Sequence, residues 1–150
     1  MRIVIQRAKR ASVSVKPDYV REIDRGLMIL VGVEKGDTAE DAGYLARKTA
    51  MLRIFDDEAG VMNRSVVDID GEILAVSQFT LLASTRKGNR PSYLRSAGGD
   101  EARQLYDTYC DMLAEAAGRE VKRGIFGADM AVELINDGPV TIIIDSRLCE

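Results

Sequence analysis

Residues 77–80, Ser77-Gln78-Phe79-Thr80, set three hydrogen-bonding side chains in an otherwise apolar run, ILAVSQFTLL. Buried polar groups need partners or a purpose. If the run is one strand over 73–82, Gln78 and Thr80 share one face and Ser77 and Phe79 the other. Gln78 and Thr80 could then address one ligand together, or simply bond backbone and water at a strand end. A second segment is Asn136-Asp137-Gly138-Pro139-Val140-Thr141. It joins a Gly, free in φ, to a Pro, fixed in φ; a turn is the plain alternative, and a cis bond is not deducible from these residues. A third, TRKGNRPSY at 85–93, places Arg86, Lys87 and Arg90 beside a Gly and an aromatic, which suits phosphate and nucleotide contact. A solvated loop is the alternative. The fourth, GIFGADM at 124–130, sets Phe126 and Met130 among small residues. They could form an apolar slot for a base, or pack the core at a bend.

What is absent narrows the chemistry further. There is no His among the 150 residues. That removes Ser-His-Asp and Cys-His catalysis, His-ligated zinc and the usual general base near neutral pH. Cys110 and Cys149 form no CxxC pair, so a zinc ribbon or thioredoxin-like motif is excluded. Both are expected as free thiols, Cys110 in packing and Cys149 at a fraying end. No metal site and no cofactor are expected. The start, MRIVIQRAKRASVSV, lacks a continuous apolar h-region, and no run approaches the ~18 apolar residues of a membrane span. A soluble, cytoplasmic protein is therefore expected. The net charge is −3, but it is segregated. Residues 1–17 and 73–99 hold nine of the 21 basic side chains and none of the 24 acidic ones, which leaves −12 on the rest. Such segregation can give an acidic protein an anion-attracting face, or be chance charge on two solvated loops.

The elements that must position these residues follow from periodicity. Alternation predicts strands over 2–8 and 11–15, with Lys9-Arg10 as a tight connection, and a third over 19–23. LMILVGV at 27–33 reads as a strand buried on both faces. Asp37 or Thr38 should cap a helix ending near Leu52, followed by a short strand over 53–55. The strand over 73–82 leads into a polar loop of about sixteen residues, 84–99, a length usually functional or mobile. Asp100 should cap a second helix, with Ala102, Leu105, Tyr106, Tyr109, Leu113 and Ala116 on its inner stripe and Gly118 as its stop. Short strands follow at 120–124, 131–135 and 140–145, the last two joined by residues 136–139. Two separated helices among many strands predict one α+β domain over 1–150. Its sheet should be mostly antiparallel, curled or barrel-like, with both helices on one side.

Taken together, the N-terminal strand, SQFTL at 77–81, the TRKGNRPSY loop, FGADM at 126–130 and NDGPVT at 136–141 resemble the D-aminoacyl-tRNA deacylase family. Order and spacing fit across nearly the whole chain, although no motif covers residues 145–150. The resemblance implies a homodimer that hydrolyses the ester of D-aminoacyl-tRNA and of mischarged glycyl-tRNA. It implies active sites at the subunit interface, where Ser77, Gln78, Phe79 and Thr80 of one subunit face Gly138 and Pro139 of the other. The Gly138–Pro139 bond would be cis, its carbonyls excluding L side chains, and Arg7 would brace it. Arg86, Lys87 and Arg90 would contact tRNA. Without His, the Thr80 hydroxyl has no evident strong base. Thr80 is therefore expected to orient substrate or water, with backbone N–H groups around 78–80 holding the oxyanion and the ribose 2′-hydroxyl assisting proton transfer. A non-catalytic RNA-binding module and a purely structural homodimer are the competing readings.

Overall fold

A computed structural model describes residues 1–149. The chain order is β1 (Arg2–Val15), β2 (Tyr19–Ile23), β3 (Gly26–Gly32), α1 (Ala39–Met51), β4 (Phe55–Asp56), β5 (Met62–Arg64), β6 (Glu72–Ser77), α2 (Gly99–Ala117), β7 (Val121–Arg123) and β8 (Ala131–Asp145). A 3₁₀ turn, Phe79–Leu82, follows β6. The main sheet runs β2-β1-β3-β6-β7, with β8 on the other side of β1. The fold is α+β, as expected, but the sheet is mixed: β6 lies parallel to both β3 and β7. The sheet curls until β2 meets β7 through side chains. Tyr19 donates to the Arg123 carbonyl at 2.7 Å and Lys122 to the Glu22 carbonyl at 2.7 Å.

Alternation sorts β3 and β6 into two apolar layers. Leu27, Ile29, Val31, Ile73 and Ala75 pack under Leu45, Ala46, Tyr106, Tyr109 and Leu113 of the two helices. Met28, Leu74 and Val76 face the inside of the curl with Ala8, Val13 and Ile23. This explains the unbroken apolar run at the start of β3, which is buried on both sides. α1 starts at Thr38, whose N–H donates to the Asp41 carboxylate at 2.8 Å, and closes at Leu52. α2 ends on Gly118 as expected. Its N-cap is Gly98, so Asp100 sits inside the first turn, where its charge complements the helix dipole.

Three expected boundaries are corrected. Lys9-Arg10 is not a connection: β1 is one strand of 14 residues, long enough to pair with β3 through its first half and β2 through its second. Residues 136–139 do not split β8 either, because β8 stays on β1 from end to end, Ala131 opposite Ser14 and Asp145 opposite Arg2. Finally, the strand expected over 73–82 stops at Ser77, where its pairing with β3 runs out. The turn that follows folds back over Gly32. A Cβ there would lie 3.2 Å from both the Gln78 carbonyl oxygen and the Leu81 Cβ, so the close approach needs a glycine.

Candidate active site

Because β6 ends at Ser77, the alternation expected of residues 77–80 does not apply. Gln78 and Thr80 still meet: the Gln78 amide Nε2 donates to Thr80 Oγ1 at 2.5 Å. The turn is gripped by its carbonyls and its first N–H. Gln78 N–H donates to the Val31 carbonyl at 2.7 Å, Ser96 Oγ to the Phe79 carbonyl at 3.0 Å, and Arg2 Nη1 to the Leu81 carbonyl at 3.1 Å. Arg2 is itself fixed by Asp145, which accepts from Nε and Nη2 at 3.0 and 2.9 Å. Burial acts to raise the Asp145 carboxyl, but the Arg147 N–H and the Arg2 guanidinium outweigh it and hold it below its ordinary value. The N–H groups of Phe79 and Thr80 have no partner among the described residues. They are the orphan donors of a helical turn.

These residues line one wall of a cavity of about 310 Å3. Ser77, Gln78 and Phe79 stand on one side and Phe126, Gly127, Ala128, Asp129 and Met130 on the other, with Ala97 and Ala102 from the start of α2. The structure thus brings together two segments about fifty positions apart in sequence. The Phe126 ring is set by the core: it lies 6.0 Å from the Tyr106 ring, whose hydroxyl donates to the Ala75 carbonyl at 2.9 Å. Burial pushes the nearby Cys110 thiol up to about 12 and the Tyr106 phenol higher still, so neither is a base at neutral pH. A roomier, polar cavity of about 670 Å3 lies between β1, β2 and β8. Glu22, Asp24, Glu72 and Glu133 outnumber Arg10 and Lys122 there, and none of the expected site residues lines it.

Gly138 and Pro139 do not line the smaller cavity of their own chain. On β8, Asn136 pairs with Ala8 and Thr141 with Gln6, so the four residues between them stand opposite Arg7 alone. They form a large bulge that turns Gly138 and Pro139 outward while Val140 stays buried in the core. Gly138 and Pro139 are exposed, and the bond between them is cis. Buried Arg7 holds the base of the bulge, its Nε donating to the Asp137 carbonyl at 2.8 Å and its Nη1 to the Ile54 carbonyl at 2.7 Å. Asn136 closes it like a pseudo-backbone. Its Oδ1 accepts from Val140 N–H at 2.8 Å and its Nδ2 donates to the Val140 carbonyl at 3.2 Å. The outer edge of β8 has no strand partner among the described residues, and Ile135 and Ile143 are exposed along it.

Arg86, Lys87 and Arg90 sit on a loop closed by two hydrogen bonds between Ser84 and Ser92, 2.8 and 2.9 Å. All three are exposed and none makes an ion pair among the described residues. Arg95, the fourth cation of this region, is committed to structure: its Nε donates to buried Glu34 at 2.8 Å. Sequence reasoning missed Arg2, Ser96 and Ala97, which no spacing signals, since each reaches the turn or the cavity only through the fold. Helical spacing does put Ala102 on the inner face of α2, where it is buried, but Ala116, expected on the same stripe, is exposed.

Among the described residues, no helix is long and apolar enough to cross a membrane. A sequence model of the D-Tyr-tRNA(Tyr) deacylase family matches residues 4–145. The chain is 55% identical over 147 residues to a D-aminoacyl-tRNA deacylase of Chromobacterium violaceum, covering 98% of each. It is also 55% identical over 147 residues to one of Parabacteroides distasonis, again with 98% of each covered. Among solved structures, a c-Myc DNA Unwinding Element Binding Protein superposes with a TM-score of 0.89 at 38% identity, over 97% of this chain and 98% of that one. A probable eukaryotic D-amino acid tRNA deacylase shares the fold with a TM-score of 0.78 at 20% identity, over 95% and 97%.

Proposed function

The chain belongs to the D-Tyr-tRNA(Tyr) deacylase family, and from that premise we propose that it hydrolyses the ester joining a D-amino acid to the terminal adenosine of tRNA. The observation that carries this reading is the cavity wall at Ser77–Phe79, a slot of about 310 Å3 beside which the backbone N–H of Phe79 and that of the next residue, Thr80, have no partner among the described residues. Water attacks the ester carbonyl, the carbonyl oxygen becomes an oxyanion, and the two N–H groups stabilise it. The bond to the ribose 3′-oxygen then breaks, and that oxygen takes a proton. With no His in the chain, the ribose 2′-hydroxyl relays this proton. Thr80, held by Gln78, orients substrate and forms no covalent intermediate. Phe126 and Met130 hold the adenine, while Arg86, Lys87 and Arg90 hold the RNA backbone.

Chiral selection comes from a second copy in a homodimer. The exposed Gly138–Pro139 bulge is aimed away from its own cavity, and the unpaired edge of β8 with Ile135 and Ile143 supports an interface beside it. Across that interface the corner closes the partner's cavity, its carbonyls blocking an L side chain. A glycyl ester, which has no side chain, fits too. A simple assay tests the reading: release of amino acid from D-, L- and glycyl-charged tRNA. D and glycyl esters should be cleaved and L esters spared; binding of tRNA without any cleavage would favour a non-catalytic nucleic-acid-binding module instead. The proton relay has its own test. A substrate ending in 2′-deoxyadenosine should be cleaved far more slowly, and equal rates would discard the relay.

A further inference from the structure

Phe79 is 56% exposed, Tyr93 40% and Leu94 80%, which is unusual for three neighbouring large apolar side chains. The two rings meet edge to face with centroids 5.0 Å apart. Phe79 belongs to the cavity wall, so Tyr93, whose ring meets it, stands beside the cavity without lining it, and Leu94 is the next residue. Tyr93 also directly follows Ser92, which closes the loop carrying Arg86, Lys87 and Arg90. The loop base is anchored on its other side. Ser96 N–H donates to the Tyr93 carbonyl at 3.0 Å, Ala97 N–H to the Val33 carbonyl at 2.9 Å, and Arg95 pairs with Glu34. The aromatic step is therefore rigid at its root, and the loop that leads into it carries Arg86, Lys87 and Arg90, which make no ion pair among the described residues.

Resting on the proposed function, we infer that Tyr93 and Leu94 form a stacking platform for the unpaired nucleotides that precede the terminal adenosine. An aromatic face beside a track of cations is what single-stranded RNA needs, since every base offers a π-face and every linkage a phosphate. Paired bases in an A-form stem are already stacked and do not reach such a face. Charge favours RNA over a second protein copy at this patch. Arg86, Lys87 and Arg90 have no ion-pair partner among the described residues and Arg95 is held by Glu34, so the patch meeting itself across a two-fold would set three like charges against three. The unpaired β8 edge is a separate surface for a second copy.

The test measures affinity for a hairpin RNA carrying a four-nucleotide single-stranded 3′ end and for the same hairpin with a blunt end. The native chain should prefer the overhang by about ten-fold. Tyr93→Ser and Leu94→Ser should each erase most of that preference while leaving the blunt affinity unchanged, and Tyr93→Phe should keep it. Equal affinity of the native chain for both RNAs would overturn the platform, as would equal losses on both RNAs in the variants. A shift of either serine variant to a smaller assembly on sedimentation would overturn it too, by making the patch a self-contact. Cleavage of a D-aminoacyl ester of adenosine alone, read on the same preparations, should be unaffected by Leu94→Ser. If the native chain fails to cleave that ester, the deacylase reading falls while the overhang preference is still decided by the binding data.

Discussion

At Ser77 strand β6 leaves the sheet, and the turn after it is gripped from three elements: Val31 of β3, Arg2 of β1 and Ser96 of the basic loop. At Asn136 strand β8 stays in the sheet but pushes Gly138 and Pro139 outward, on a base held by Arg7, by Asn136 and by buried Val140. The first departure builds a wall of a cavity within the chain. The second builds a projection with nothing of its own chain to close on. The two regions do not meet within one chain, since neither Gly138 nor Pro139 lines the cavity, and the proposed dimer is what would join them.

Substitutions should separate the two regions. The largest effect is expected at the corner. Gly138 has φ 143°, and a Cβ there would lie 2.9 Å from the Val140 backbone nitrogen. Gly138→Ala should therefore displace the corner, and a misplacement near 1 Å can cost about 100-fold in turnover; D-ester kinetics and the L-ester rate, measured together, check it. At the turn, Thr80→Val removes the oxygen that Gln78 donates to. A loss of about ten-fold is expected, with Thr80→Ser near native and no acyl-enzyme on mass spectrometry; an acyl-Thr80 adduct would restore Thr80 as the nucleophile. Smaller still is the grip itself. Ser96→Ala deletes one bond worth ~1 kcal/mol, so kcat should fall by about five-fold with KM little changed.

Acid should give the mildest signal near neutrality and a clear one below it. The Asp145 carboxyl lies below its ordinary 3.8 and Glu72, bonded by Lys122, below 4.5. Because both folded values are depressed, their contribution is fully present above the ordinary values and is lost as pH falls through the lowered ones. With no His in the chain, thermal stability should be level from about pH 6 to 8 and drop below about pH 4. In Asp145→Asn the low-pH drop should shrink, and an unchanged profile would remove the Arg2 clamp from this account.

The elements with strong local signals were legible in sequence. Thr38 and Gly118 marked helix ends, and the apolar run in β3 marked a doubly buried strand. Two of the four candidate segments, 77–80 and 124–130, stood out in sequence because polar or small residues break an apolar pattern, and the structure brings parts of both to one cavity. What was hidden depended on partners far along the chain. SQFTLL has strand composition, yet β3 ends its pairing at Ser77 and the backbone turns. Lys9-Arg10 resembles a turn, but β8 pairs across it. The mixed sheet also escaped, since β6 is placed parallel to β3 by a long connection rather than by any residue pattern.

The central claim is that the wall at Ser77–Phe79 and the corner at Gly138–Pro139 act together across two subunits. Mixing tests it most directly: a variant impaired at the turn, Gln78→Ala with Thr80→Val, is co-folded with Gly138→Ala, each at a tenth of native activity or less alone. In the mixed dimer one site has both defects and the other has neither. D-ester hydrolysis should then return to about a quarter of the native rate for equal co-assembly. If the mixture stays as inactive as its parents while mixed dimers are demonstrably present, the corner and the wall do not form a shared site.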